Sequence, residues 1–173
     1  MDLWIYQELI YELKPDVIIE TGTGSGGGTL FFASICDMVG NGRIIAIDIV
    51  DKEDRPHHNR ITYLHGSSTS EEIADQVRRL ISDKDKVMVS LDSYHHKEHV
   101  LRELEIYSKF VNKGSYIVVE DTNLNGHPVV PTGDPGPMEA VEEFLRGDKN
   151  FAIDKSREKF FLTFNPNGYL KRI

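Results

Sequence analysis

The sequence predicts an α/β fold: a doubly wound, mostly parallel sheet closed at its C-terminal end by an antiparallel hairpin. Three observations carry this. Four short, nearly continuous β-branched runs recur along the chain, as strands buried on both faces require. Helical patterns separate them, the alternation that gives parallel strands with right-handed crossovers. The last two apolar runs stand too close together for a crossover helix and leave room only for a hairpin.

The elements follow in order. Residues 3–13 place Trp4, Ile5, Leu9, Ile10 and Leu13 at helical spacing, and Lys14-Pro15 stops them. The four strong strands are Val17-Ile18-Ile19, Ile44-Ile45-Ala46-Ile47, Val87-Met88-Val89-Ser90-Leu91 and Tyr116-Ile117-Val118-Val119. Ile61-Thr62-Tyr63-Leu64 is a weaker fifth. Helices are expected over 29–39, ended by Gly40, over 69–81, opened by a Thr69-x-x-Glu72 capping box, and over 97–111. A last helix over 138–145 precedes the expected hairpin, 151–153 with 160–164.

With 173 residues, one domain spanning 1–173 is expected, comprising an N-terminal helix (1–14) and a candidate lid loop over 121–137. The formal charge of −8 argues against nucleic acid or an anionic membrane as partner. Cys36 is the sole cysteine, so no internal disulfide forms. Met1-Asp2-Leu3-Trp4 does not read as a leader, and no run of 18 apolar residues occurs. The expected location is the cytoplasm.

Parallel sheets bind ligands beyond the carboxyl ends of their strands. Four strands here end in acid: Glu20, Asp48, Asp92 and the pair Glu120-Asp121. Acids converging on one crevice need a cation to neutralise them. The bland alternative is that Asp and Glu favour loops and helix starts anyway. The segment Glu20-Thr21-Gly22-Thr23-Gly24-Ser25-Gly26-Gly27-Gly28 packs five glycines into seven positions between a strand and a helix. Gly22, Thr23, Gly24, Ser25 and Gly26 thus form a loop that a ligand can approach closely. The glycine spacing fits a dinucleotide such as NAD and S-adenosylmethionine (SAM) equally. Glu20 separates the two, because a carboxylate repels a pyrophosphate and attracts the ammonium and sulfonium of SAM. Asp48 suits ribose hydroxyls in both. Ser67 and Ser68, after the third strand, are placed near an adenine or serve as a helix cap.

Asp92-Ser93-Tyr94-His95-His96-Lys97-Glu98-His99 sets His95 and His99 on the side of Asp92, by spacings of three and four. Asp92 is expected at the cofactor and at a metal, with His95 within reach. Zinc or iron on Asp92, His95 and His99 is an alternative; hard carboxylates without a nearby cysteine favour Mg²⁺, Mn²⁺ or Ca²⁺. His57 and His58 read as solvated. Glu120-Asp121 opens a 17-residue stretch holding four of the seven prolines, long enough to be a functional loop, with Asn123, Asn125 and His127 as candidate substrate contacts.

Taken together, Glu20-Thr-Gly-Thr-Gly-Ser-Gly-Gly, Ala46-Ile-Asp48-Ile, Leu91-Asp92-Ser93-x-His95-x-x-x-His99-Val, Val119-Glu120-Asp121-Thr122-Asn123 and Gly136-Pro137-Met138-Glu139-Ala140-Val141 resemble the cephalosporin hydroxylase / rhamnosyl O-methyltransferase family. The resemblance runs from about Val17 onward. It implies a Rossmann-like sheet of the class I methyltransferase type, SAM over the glycine loop and Asp48, and Mg²⁺ (or Mn²⁺) on Asp92, Glu120 and Asp121. Catechol-type O-methyltransferases, also similar, carry a lysine base three residues past the first ligand, where this chain has His95. Family members usually have a longer arm before the first strand. With one helix there, part of the lid or pocket is either missing or supplied by another subunit, as in a homo-oligomer.

The expected activity is methyl transfer from SAM to a hydroxyl of a small sugar or natural product. A cation acidifies the hydroxyl and His95 takes its proton. The rivals are a non-catalytic SAM-binding domain and an NAD(P)-dependent oxidoreductase.

Overall fold

The computed structural model describes residues 1–131 and 134–173. Helix α1 (Asp2–Leu13) leads into β1 (Val17–Thr21), α2 (Gly27–Val39), β2 (Arg43–Asp48), β3 (Ile61–His65), α3 (Glu71–Leu80), β4 (Val87–Leu91), α4 (Lys97–Tyr107), β5 (Tyr116–Val119), α5 (Pro137–Gly147), β6 (Phe151–Ile153) and β7 (Tyr169–Arg172). The strands form one sheet in the order β3-β2-β1-β4-β5-β7-β6. β3 to β5 run parallel, and β7 inserts antiparallel between β5 and β6.

Alternate residues of the central strands feed two cores. Val17 and Ile19 face the layer holding Ile73, Val77, Leu104 and Val141, while Ile18 packs with Ile5, Leu9, Ile10 and Phe32. Both faces of β1 and β4 are buried along their whole length, which is why they read as unbroken apolar runs.

The expected antiparallel pair exists, but its second strand is Tyr169–Arg172 and not 160–164. A 3₁₀ turn, Lys155–Glu158, follows β6. Phe161 then adopts φ 60, a left-handed conformation that no strand continues through. Phe161, Leu162 and Phe164 stay exposed, whereas Tyr169 and Leu170 are fully buried. Three helix details also differ. Ser70, not Thr69, caps α3, its hydroxyl accepting from Ile73 N at 3.2 Å. α4 starts at Lys97 as expected but ends at Tyr107 instead of 111, and His95 lies in the loop before it. In α1, Trp4 faces outward and Tyr6 is buried in its stead.

The 121–137 segment is pinned at several points. Lys97 N donates to Pro135 O at 3.1 Å, and Val129 N donates to Asn123 O at 3.0 Å. His127 Nε2 lies 2.6 Å from Glu139 Oε1 on α5. Thr132 and Gly133 of this expected lid lie outside the described residues.

Candidate active site

The glycine loop leaves β1 between the ends of β2 and β4. Gly22 is required there twice over: its φ is +82, and a Cβ would come within 1.8 Å of Asp92 O. Gly24 N donates to Asp48 Oδ2 at 2.7 Å, and Val50 N to Asp48 Oδ1 at 2.8 Å. Arg55, buried and unforeseen from the charged run around it, ties this corner together. Its Nε donates to Gly24 O at 3.0 Å, and its Nη2 reaches Val50 O at 2.7 Å and Asp48 Oδ2 at 3.1 Å.

Glu20 is buried at the end of β1 and accepts from the Thr29 hydroxyl. A Cβ at Gly28 would lie 2.9 Å from Glu20 Oε1, so the glycine there makes room for the carboxylate. Burial pushes the Glu20 carboxyl up to about 8, more than the Thr29 bond lowers it. Protonated near neutral pH, such an acid ionises most readily when a cation comes beside it.

Gly22, Gly24, Asp48, Ser67, Ser68 and Asp92 all line one cavity of about 610 Å³. Ser93, Tyr94 and His99 line it as well. The other loop residues point elsewhere. Thr23 Oγ1 donates to Ile47 O at 3.3 Å, Ser25 Oγ accepts from Lys52 Nζ at 3.3 Å, and Gly26 caps α2 beneath Pro56. The sequence pattern underrated His99: it borders the cavity through the first turn of α4. His58 is half-buried, 3.1 Å from Asp37.

At the edge of this cavity Asp92 belongs to a second constellation. Asp92, His95 and Asp121 offer ligand atoms all within 4.8 Å of one another. His95 Nε2 lies 3.3 Å from Asp92 Oδ1, and its Nδ1 lies 3.7 Å from Asp121 Oδ2. The Asp92 hydrogen bond, with the charges of Asp121 and Asp92, holds the imidazole above its ordinary range despite partial burial.

Glu120 sits next to this trio without joining it. Its Oε1 accepts from the Tyr6 hydroxyl, which is also 2.8 Å from Ser90 Oγ. Burial raises Glu120 to about 7, more than the Tyr6 bond lowers it. Asp121 takes φ 55, and Asn165, fully buried, holds it by accepting from Asp121 N at 2.9 Å. Of the candidate substrate contacts, His127 is engaged with Glu139, Asn125 packs on Gly136, and Asn123 keeps a buried Oδ1 without a partner.

Hard carboxylates plus one imidazole suit a divalent cation. The cavity beside them, with its ribose-type acid, suits SAM; Glu20, buried behind the glycine loop, does not line it. The family model for rhamnosyl O-methyltransferase/CmcI matches residues 1–173. The chain belongs to this family. A rhamnosyl O-methyltransferase of Mycobacterium leprae is 40% identical over 179 residues, covering 99% of this chain and 77% of that protein. One from Mycobacterium tuberculosis (strain ATCC 25618 / H37Rv) is 39% identical over 178 residues, covering 99% and 73%. Among solved structures, a Mg–SAM form of CmcI superposes with a TM-score of 0.72 at 18% identity, over 98% of this chain and 70% of that one. MycE methyltransferase with Mg, S-adenosylhomocysteine (SAH) and mycinamycin VI gives 0.60 at 23% identity, over 82% and 40%. These two share the fold.

Proposed function

We propose that this protein is a SAM-dependent O-methyltransferase acting on a hydroxyl of a sugar or sugar-bearing natural product, assisted by Mg²⁺ or Mn²⁺. The observation that carries the reading is Asp92. One carboxylate borders both the cofactor cavity and the carboxylate–imidazole cluster, so donor and acceptor sites abut. The named activity of the mycobacterial relatives, at 39–40% identity, supports it.

When bound, the cation acidifies and fixes an acceptor hydroxyl, and SAM supplies an electrophilic methyl group. The remaining work falls to the chain. Asp48 takes the ribose hydroxyls, held in place by Gly24 N, Val50 N and Arg55. Glu20, ionised by the approach of the cofactor's ammonium, anchors the methionine end. Asp92 and Asp121 would hold the cation, and Glu120, steadied by Tyr6 beside them, would have to turn toward it to serve as a third ligand. His95 receives the hydroxyl proton. The described part of the 121–137 loop, fastened to α4 and α5, starts at Asp121 beside the cluster and would help align the nucleophile, which for an in-line displacement is a large part of the barrier.

Two other readings fare worse. The relatives at 39–40% identity are named O-methyltransferases, which counts against a nicotinamide dinucleotide. A SAM-binding domain without turnover has no use for a metal-grade cluster at its cavity rim. The test is transfer of tritium from methyl-labelled SAM to rhamnosides, with and without EDTA. Metal-dependent labelling of a hydroxyl is expected; failure to label any glycoside while SAH binds tightly favours the non-catalytic reading.

A further inference from the structure

Glu103, in the middle of α4, is fully buried. Its Oε1 accepts from Ser93 Oγ at 2.7 Å and lies 3.7 Å from His99 Nε2. Its Oε2 has no hydrogen-bond partner among the described residues. A buried carboxylate is costly unless donors face it. Tyr107, one turn on, gives its hydroxyl to Ser68 O at 2.8 Å. The His99 ring, 3.7 Å away, is too far to hydrogen-bond Glu103 but near enough for the carboxylate's charge to favour a proton on the nitrogen that faces it.

His99 Nε2 also lies 3.2 Å from Ser68 Oγ. All polar contacts of the ring among the described residues thus run through Nε2. A neutral imidazole in these surroundings carries its proton on Nε2 and presents Nδ1 as an acceptor. The ring borders the cofactor cavity with Tyr94 edge-on to it, centroids 5.7 Å apart. Ile47 and Ile49 add apolar lining. Apolar surfaces with one oriented acceptor suit a flat heteroaromatic base bearing an exocyclic amine.

We propose that His99 selects the adenine of the cofactor by accepting a hydrogen bond from its 6-amino group at Nδ1, and that buried Glu103 is the positioning residue that fixes the ring's proton on Nε2. This inference rests on the cofactor reading above.

The experiment compares SAH with S-inosylhomocysteine, identical except for a 6-oxo group and the proton that accompanies it at N1. Calorimetry on the full chain should show wild type preferring SAH by about tenfold, the value of one oriented hydrogen bond. His99→Phe should abolish the preference. Glu103→Gln should shrink it by raising affinity for the inosyl compound, because the imidazole proton is then free to move to Nδ1 and meet the oxo group. ¹⁵N imidazole spectra should show the Nε2–H tautomer in wild type and a mixture in Glu103→Gln. A merely structural role would weaken both ligands together and leave their ratio unchanged. If Glu103→Gln does not fold, wild type and His99→Phe decide alone. Wild type binding both compounds equally, or an unchanged ratio in His99→Phe, overturns this inference while leaving the cofactor reading standing. Wild type binding neither overturns both.

Discussion

The Tyr6 hydroxyl donates to Glu120 Oε1 across 114 residues of sequence. It binds the first helix of the chain to a carboxylate at the candidate metal centre. Partners of this kind orient metal ligands, and losing one typically costs 10–100-fold in metal affinity. Tyr6→Phe keeps the ring and removes the bond. Mn²⁺ affinity is expected to fall by about tenfold or more, with about 1–3 kcal/mol lost from stability as Glu120 loses a buried donor. Calorimetric Mn²⁺ titration and urea unfolding check the two. Unchanged Mn²⁺ affinity would take Glu120 out of the site.

Glu20 gives the free protein a pH dependence of definite sign. Its carboxyl titrates at about 8 in the fold, against 4.5 for an ordinary glutamate. The folded state therefore holds a proton that the unfolded chain has given up. The resulting stabilisation is full below about 4.5 and is lost as pH rises through about 8. Melting temperature of the free protein should fall from pH 5 to pH 9, and Glu20→Gln should flatten the slope. SAH binding near pH 7 should release protons from the wild type, seen as a dependence of binding heat on buffer ionisation enthalpy, and release fewer from Glu20→Gln.

Asp48 and Arg55 act as one unit through Gly24. Asp48→Ala should weaken SAH binding by about 1.5–3 kcal/mol, the loss expected for charge-assisted hydrogen bonds. Arg55→Ala frees Gly24 O and Val50 O and should weaken it as well. The double variant should lose less than the two effects added, because both act on one loop. Strict additivity in a double-mutant cycle would place Arg55 outside the cofactor site.

His95 and His99 stand four residues apart and are expected to fail differently. His95→Ala should cut turnover by about 10²–10⁴-fold, the usual range for a general base, with SAH affinity held. His99→Ala should raise the KM for SAM and leave the chemical step in single turnover nearly intact. Equal losses in the single-turnover rate would reject the division of roles.

The sequence made the parallel half of the sheet readable because those strands are apolar on both faces, and made the strand-end acids readable because topology gathers them. It misled over β7. Tyr169-Leu170-Lys171-Arg172 is half charged, while the aromatic cluster at 160–164 looks the better strand and lies on the surface. Arg55 was hidden in a run of charges, since nothing local reveals that its guanidinium folds back onto Gly24. The pairing of His99 with Glu103 follows helix spacing, but only the burial of Glu103 turns that spacing into a constraint.

Asp2, buried at the start of α1, accepts from Tyr169 Oη at 2.8 Å and from Thr163 Oγ1 at 2.5 Å. The first turn of the chain is thereby fastened to its last strand, at a separation of 167 residues. Most of α1 packs on Ile18 and Phe32, close by in sequence, but the donors that hold Asp2 lie in the C-terminal part of the chain. Contacts of such long range form late, after the loop-closure entropy of the whole chain has been met. Tyr6 rides on that helix, so the bond that steadies Glu120 and the bond from the last strand hold the same element in place. The candidate metal carboxylate Glu120 is thus coupled, through α1, to a contact 167 residues apart in sequence.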